Sequence, residues 1–134
     1  RLHRPLVSVH TVPTDAPEAD GTLAWDSTTM VIAEVTAGDA TGTGWTYGPP
    51  AVGDFLRDSL APPVEAERLD IPATHDAMCR SVRNAGRPGI AGCTISALDI
   101  ALWDLKARLL DLPRPGCGHG PTLRAEEVEE YQVG

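Results

Sequence analysis

The sequence predicts an α+β domain, a three-stranded antiparallel meander followed by a helical bundle. Three observations predict it. Alternating, β-branched segments fill the first 48 residues, whereas after Pro49-Pro50 the apolar spacing changes from every second residue to every third or fourth. Proline and glycine punctuate the chain between these segments. The strand-rich block precedes the helical block without interleaving, which is the order of an α+β rather than an α/β chain.

Each element has its own signal. Residues 5–12, PLVSVHTV, alternate Leu6, Ser8 and His10 against Val7, Val9 and Thr11. The segment PTDAPEADGTLAWDS, residues 13–27, is rich in turn formers and is expected to be a long loop. TTMVIAEVT (28–36) and TGTGWTYG (41–48) alternate again, with AGDATG as the turn between them. AVGDFLRDSLA (51–61) has helical spacing at Val52, Phe55, Leu56 and Leu60, and Pro62-Pro63 is expected to end it. PATHDAMCRSVRNA (72–85) opens with proline and is expected to bury Ala73, Ala77, Met78 and Val82. A long helix runs from about Ile90 to Leu110, stopped by Pro113 and Pro115.

Composition narrows the function. A chain of 134 residues has one-domain length, and 42% hydrophobic content is ordinary for a globular domain. No apolar run reaches membrane-spanning length, and RLHRPLVSVHTVPTD is too polar for a signal peptide, so no membrane partner is expected. Cys79, Cys93 and Cys117, odd in number and irregularly spaced, read as reduced thiols of a cytoplasmic protein. The net charge is −8, and seven acids but no Lys or Arg lie between Arg4 and Arg57. Such a surface repels phosphate backbones, which argues against nucleic acid.

The long helix carries two apolar walls. Ile95, Leu98, Leu102, Leu105 and Leu109 share one side, and Ile100, Trp103, Ala107 and Leu110 share a neighbouring one. Asp99 falls between the walls and should be paired or hydrogen-bonded there, anchoring a neighbouring backbone or a cation such as Arg83, so that Asp99→Ala is expected to cost about 2–4 kcal/mol. Asp104 and Arg108 sit on the polar side at ion-pair spacing. Such a helix lies between two layers: other helices of the domain, a second domain or a second chain must cover the second wall.

The stretch RPGIAGCTISALDIALWDLKARLLDLP, residues 87–113, closely resembles the signature helix of the N-terminal capping domain in the enolase superfamily, in its mandelate racemase and muconate-lactonizing branch. The order of strands, long first loop and helices agrees, so the resemblance covers about residues 5–113. It implies a cap, residues 1–113, on a modified TIM barrel, in an enzyme that uses Mg²⁺ to stabilise the enolate formed when a base removes the proton alpha to a carboxylate. The loop Pro13–Ser27 and the turn around Tyr47–Pro50 would lie over the substrate. By that resemblance Asp15, Asp20, Trp25 and Tyr47 are the candidate substrate-facing residues, and the reaction would be racemisation, epimerisation or dehydration of a hydroxy or sugar acid.

The sequence departs from the family after Pro113. Barrels of this branch supply Lys-x-Lys or a similar base pair and three carboxylate metal ligands, but the single lysine here is Lys106, in the signature helix. Residues 114–134, RPGCGHGPTLRAEEVEEYQVG, show no barrel strand and read as a divergent tail, a linker or a short helix with Val128 and Tyr131 on one side. The chain is therefore expected to hold no catalytic residue, to bind no Mg²⁺ itself and to be inactive alone. A missing C-terminal barrel or self-association would complete it, and a small carboxylate substrate would bind only with the barrel. The alternative is a stand-alone interaction module that dimerises through the long apolar helix.

Other candidates have weaker chemistry. Asp15, Glu18, Asp20 and Asp26 do not match the twelve-residue calcium loop. Cys117 and His119 lack the further ligands that zinc needs. His10 and His75 are isolated on apolar patterns, and Arg80, Arg83 and Arg87 form a basic helix face. Trp25 can either stack on a ligand or anchor its loop. Trp45 is expected in the core, and Tyr47, on the same strand face, at the site.

Overall fold

A computed structural model describes residues 1–112. The readings placed on residues 113–134, the divergent tail and the Cys117–His119 pair among them, lie outside the described residues. The element order is β1 (Leu6–Ala19), β2 (Ala24–Ala37), β3 (Ala40–Tyr47), α1 (Ala51–Phe55), a π-helical segment (Leu56–Leu60), α2 (Ala61–Val64), α3 (Ile71–Ser81) and α4 (Ile90–Leu109). The three strands form one antiparallel sheet in the order β1-β2-β3. The expected α+β meander and bundle are therefore present.

Three expectations need correction. Residues 13–27 are not a long loop but the outer half of a β-hairpin, in which Glu18 pairs with Trp25 and Ala19 with Ala24. The prolines are absorbed by an irregularity between Pro13 and Glu18, where several β1 residues bulge opposite Asp26. Pro62-Pro63 does not end the first helix but sits inside α2. Pro62 cannot donate to residue 58, and the turn before it is widened, with the Ala61 N–H reaching back to the Leu56 carbonyl. In α3 the buried residues are Ile71, Thr74 and Met78, followed by Val82, while Ala73 faces solvent. That helix starts one residue earlier than expected because Asp70 caps it, accepting from the Ala73 N–H at 3.1 Å.

The sheet has one covered face and one open face. Val31, Ala33 and Val35 of β2 point to the core with no exposure. They meet Leu98, Leu102 and Leu105 of α4, and Val52, Leu56, Leu60 and Met78 close the other side of that core. Burying a leucine of this kind stabilises by about 1.5–3 kcal/mol. Thus α4 lies between the sheet and the shorter helices, but its second wall is only partly covered: Ala107 is buried, Ile100 and Trp103 are half-buried and Leu110 is exposed. Leu109 and Leu110, at its C-terminal end, remain about half exposed.

β3 and α4 approach each other closely. Gly42 and Gly44 face the helix where it carries Ala97 and Ala101. A Cβ built at Gly44 would stand 2.7 Å from the Ala101 nitrogen and closer still to the Ala97 carbonyl oxygen; one at Gly42 would stand 2.6 Å from Leu105 Cβ. Between the two glycines, the Thr43 N–H donates to Asp104 Oδ2 at 2.9 Å, and Arg108 Nε donates to the same oxygen at 2.9 Å. The Asp104 side chain is only 14% exposed. It ties the backbone of the edge strand to the helix and is more than the surface ion pair its spacing suggested.

Asp99 has a different partner from the one expected. His75 Nδ1 lies 3.3 Å from Asp99 Oδ1, joining α3 to α4, and both side chains are about one-third exposed. Arg83 is exposed and makes no ion pair with it. A pair this open to water contributes at most about 1 kcal/mol.

Two stability predictions follow from these contacts. Gly44→Ala, a change that normally favours a strand, lowers stability here by about 1–3 kcal/mol, because the added methyl meets helix backbone that cannot move aside. Asp104→Ala costs about 2 kcal/mol through the Thr43 N–H and Arg108, whereas Asp99→Ala costs less than about 1 kcal/mol. Urea unfolding of the three variants checks both statements. An unchanged midpoint for Gly44→Ala, or a larger loss for Asp99→Ala than for Asp104→Ala, contradicts this packing account.

Candidate functional site

The candidate residues gather toward one end of the sheet. β3 ends at Tyr47, which pairs with Met30, while the β1–β2 hairpin continues past it for the length of Ala24–Thr29. At about 3.3 Å per residue the hairpin tip stands roughly 20 Å beyond the end of β3. The turn after Tyr47 is held to the base of the projecting hairpin by the Gly48 N–H, which donates to the Thr29 carbonyl at 3.2 Å. Pro49 and Pro50 then start α1, their carbonyls accepting from the Val52 and Gly53 N–H groups at 2.9 Å. The segments 13–27 and 47–50 therefore border the same end of the sheet.

Asp20 shapes the tip. Its Oδ1 accepts from the Thr22 hydroxyl at 2.7 Å and from the Thr22 and Leu23 N–H groups at 2.9 Å, while its own N–H donates to the Leu23 carbonyl at 3.2 Å. Gly21 takes φ +90°, a left-handed value that a side chain would strain. The Thr22 hydroxyl, followed by the two backbone donors, holds the Asp20 carboxyl down at about 2 from its ordinary 3.8. Trp25 is 37% exposed, and its Nε1 donates to Glu18 Oε2 across the hairpin at 2.9 Å. A shallow hollow of about 310 Å³ is lined by Pro17, Ala24, Trp25 and Asp26. Asp15 lies in the irregular part of β1, beside Thr14, whose hydroxyl is buried without a hydrogen-bond partner.

Asp20 and Trp25 thus share the hairpin tip, and Glu18 joins them through its hydrogen bond to Trp25 rather than as a calcium ligand. Tyr47 is set apart, five residues back along β2 at the level of Met30, or about 17 Å. It stands 5.2 Å from Trp45 in an edge-to-face arrangement, and both are exposed, at 55% and 47%. Trp45 is therefore not in the core. Its strand face is the open one, because the opposite face carries the two glycines that seat α4. Arg80, Arg83 and Arg87 are exposed on α3 and its exit. Among the described residues, no three His, Cys, Asp or Glu side chains are grouped so that they could hold a metal ion, and no helix is long and apolar enough to cross a membrane.

The depressed Asp20 pKa has a measurable consequence. The native tip favours the anion, so the order it lends is complete above about pH 4 and is lost as pH falls toward 2. Carboxyl-carbon NMR should show Asp20 titrating near 2, with the Thr22 and Leu23 amide signals shifting on the same curve. A midpoint near 3.8 with unmoved amides contradicts this turn geometry.

No family model matches the sequence. Among solved structures, a mandelate racemase/muconate lactonizing enzyme-like protein from Rubrobacter xylanophilus is 52% identical, with a TM-score of 0.83 over 87% of this chain and 33% of its own. L-Talarate dehydratase from Polaromonas sp. JS666, complexed with Mg and L-glucarate, is 30% identical, with a TM-score of 0.69 over 82% of this chain and 32% of its own. L-Talarate/galactarate dehydratase from Salmonella typhimurium LT2, liganded with Mg and L-lyxarohydroxamate, is 26% identical, with a TM-score of 0.68 over 82% and 31%. This chain spans about a third of the length of each. The half-identity match to the first carries the sheet and the helices together, and by it the chain belongs to the mandelate racemase/muconate lactonizing enzyme branch of the enolase superfamily, with the fold of that superfamily's N-terminal domain.

Proposed function

We propose that this domain, residues 1–113, is the lid of a Mg²⁺-dependent enzyme that abstracts the proton alpha to a carboxylate, acting on a hydroxy or sugar acid. The observation that carries the reading is the convergence of the projecting hairpin and the Tyr47–Pro50 turn at one end of a rigid sheet. Binding loops mounted on a stable scaffold are the usual place for ligand contacts. The Mg-containing dehydratases of similar fold support the substrate class.

The residues divide by role in this reading. Asp20 is a positioning residue: its Oδ1 is saturated by the turn, and it acts by keeping the tip shaped. Trp25, steadied by Glu18, offers a ring face for a sugar or an apolar group, and Tyr47 offers a phenol nearer the sheet. Asp15 presents a carboxylate that would accept from substrate hydroxyls. The described residues do not fit a divalent cation, since no three potential ligands are grouped among them, so no chemical step is assigned to this domain. The base and the metal ligands would come from a barrel outside it, and residues 114–134 would be the link or a divergent tail.

Kinetics separate a lid from a bystander. In the gene product that carries this domain together with a barrel, Trp25→Ala and Tyr47→Ala should each raise KM by about 10- to 100-fold, with a smaller fall in kcat. The 134-residue chain alone should catalyse no Mg²⁺-dependent exchange of the α-proton in D₂O. Unchanged KM in both variants, or exchange by the chain alone, contradicts the lid reading.

A further inference from the structure

The two segments proposed to cover the substrate carry carboxylates but no cation. Residues 13–27 and 47–50 hold Asp15, Glu18, Asp20 and Asp26, and no Lys, Arg or His. Along the hairpin the first imidazole is that of His10, which pairs with Met30, five residues back from Trp25 along β2, or about 17 Å. Arg57 reaches β1 from the helical layer, but its guanidinium is committed to Asp54 Oδ1 at 2.9 Å and to the Val7 carbonyl at 3.1 Å. A second carboxylate on a substrate would meet anions at the hairpin tip and no counter-ion from this domain. Desolvation under a lid makes that arrangement costly.

The hollow beside Trp25 suits another kind of group. Its volume is about 310 Å³, and Pro17, Ala24, the indole of Trp25 and Asp26 line it. Glu18 is spent on the Trp25 Nε1 and Asp20 on its own turn, so both serve the hairpin itself. Asp26 Oδ1 takes only a long bond, 3.3 Å, from the Ser27 hydroxyl, which leaves Oδ2 to accept from a ligand. An exposed ring face on which C–H groups pack, edged by one carboxylate that accepts but cannot donate, matches a chain of hydroxyl-bearing carbons. Resting on the lid reading above, we infer that the substrate has a single carboxylate, the one whose α-proton is removed, and that its far end is an uncharged polyhydroxy chain held at Trp25 and Asp26. Asp26 is then a specificity-determining residue: its charge turns away diacids of the same chain length.

The gene product that joins this domain to a barrel tests the inference. Three sets of six-carbon stereoisomers serve as probes with Mg²⁺: aldonates with one carboxylate, aldarates with two, and 6-amino-6-deoxyaldonates with a distal ammonium. The best aldonate should exceed the best aldarate by about 100-fold in kcat/KM, and should exceed the amino analogue as well. Asp26→Asn removes the charge and keeps the shape, and should narrow the aldonate-to-aldarate ratio by about tenfold. Preference for an aldarate or an amino analogue, turnover of none of the three sets, or a ratio that Asp26→Asn leaves unchanged overturns the inference. Trp25→Ala separates that failure from failure of the lid reading. If it raises KM, the lid stands and the single-carboxylate inference alone falls; unchanged KM in both Trp25→Ala and Tyr47→Ala removes the two together.

Discussion

The seating of α4 on β3 is the constraint on which the rest of the domain depends. Two glycines spaced by one residue, facing two alanines spaced by four, let a helix approach a strand to backbone contact. The carboxylate of Asp104 then reaches the Thr43 N–H, a donor that an edge strand would otherwise leave to water. The consequences run in both directions through the sheet. The large residues of β3 must occupy the other face, so Trp45 and Tyr47 are exposed. The sheet is fixed as a platform, and the β1–β2 hairpin projects from a strand pair whose inner half is locked into the core by Val31, Ala33 and Val35.

In the proposed lid reading, a platform of that kind is what holds the hairpin and the Tyr47–Pro50 turn in place. The hairpin is stiffened by features that cost no core: the Asp20 turn at its tip and the Glu18–Trp25 cross-strand contact below it. Its outer half buries little, which leaves it as the part of the sheet most able to move against the rest.

Much of this architecture was legible in the sequence, and the failures have common causes. Alternation at residues 28–36 and the two-walled pattern of residues 90–110 identified β2 and α4, because each reflects burial on known faces. The hairpin at 13–27 escaped detection because Pro13, Pro17 and Asp20-Gly21 are turn signals locally, while the Glu18–Trp25 pairing is decided across the strand. Trp45 was misplaced by the ordinary preference of tryptophan for burial. The correcting signal was present: Gly42 and Gly44 alternate with Thr43 and Trp45, and only the glycine face can accept a helix. Asp104 looked like a surface charge since its main partner is a backbone N–H, which no sequence pattern displays. His75 and Asp99 could not be matched before the α3–α4 packing was known, because 24 residues separate them.

The central claim is that this domain works as the lid of a longer enzyme, and reading the coding sequence onward through codon 134 tests it most directly. The account predicts a continuation, in one of the three frames, that encodes a Lys-x-Lys or equivalent base pair and three Asp or Glu residues at the ends of successive barrel strands. A continuation with no barrel in any frame would contradict it.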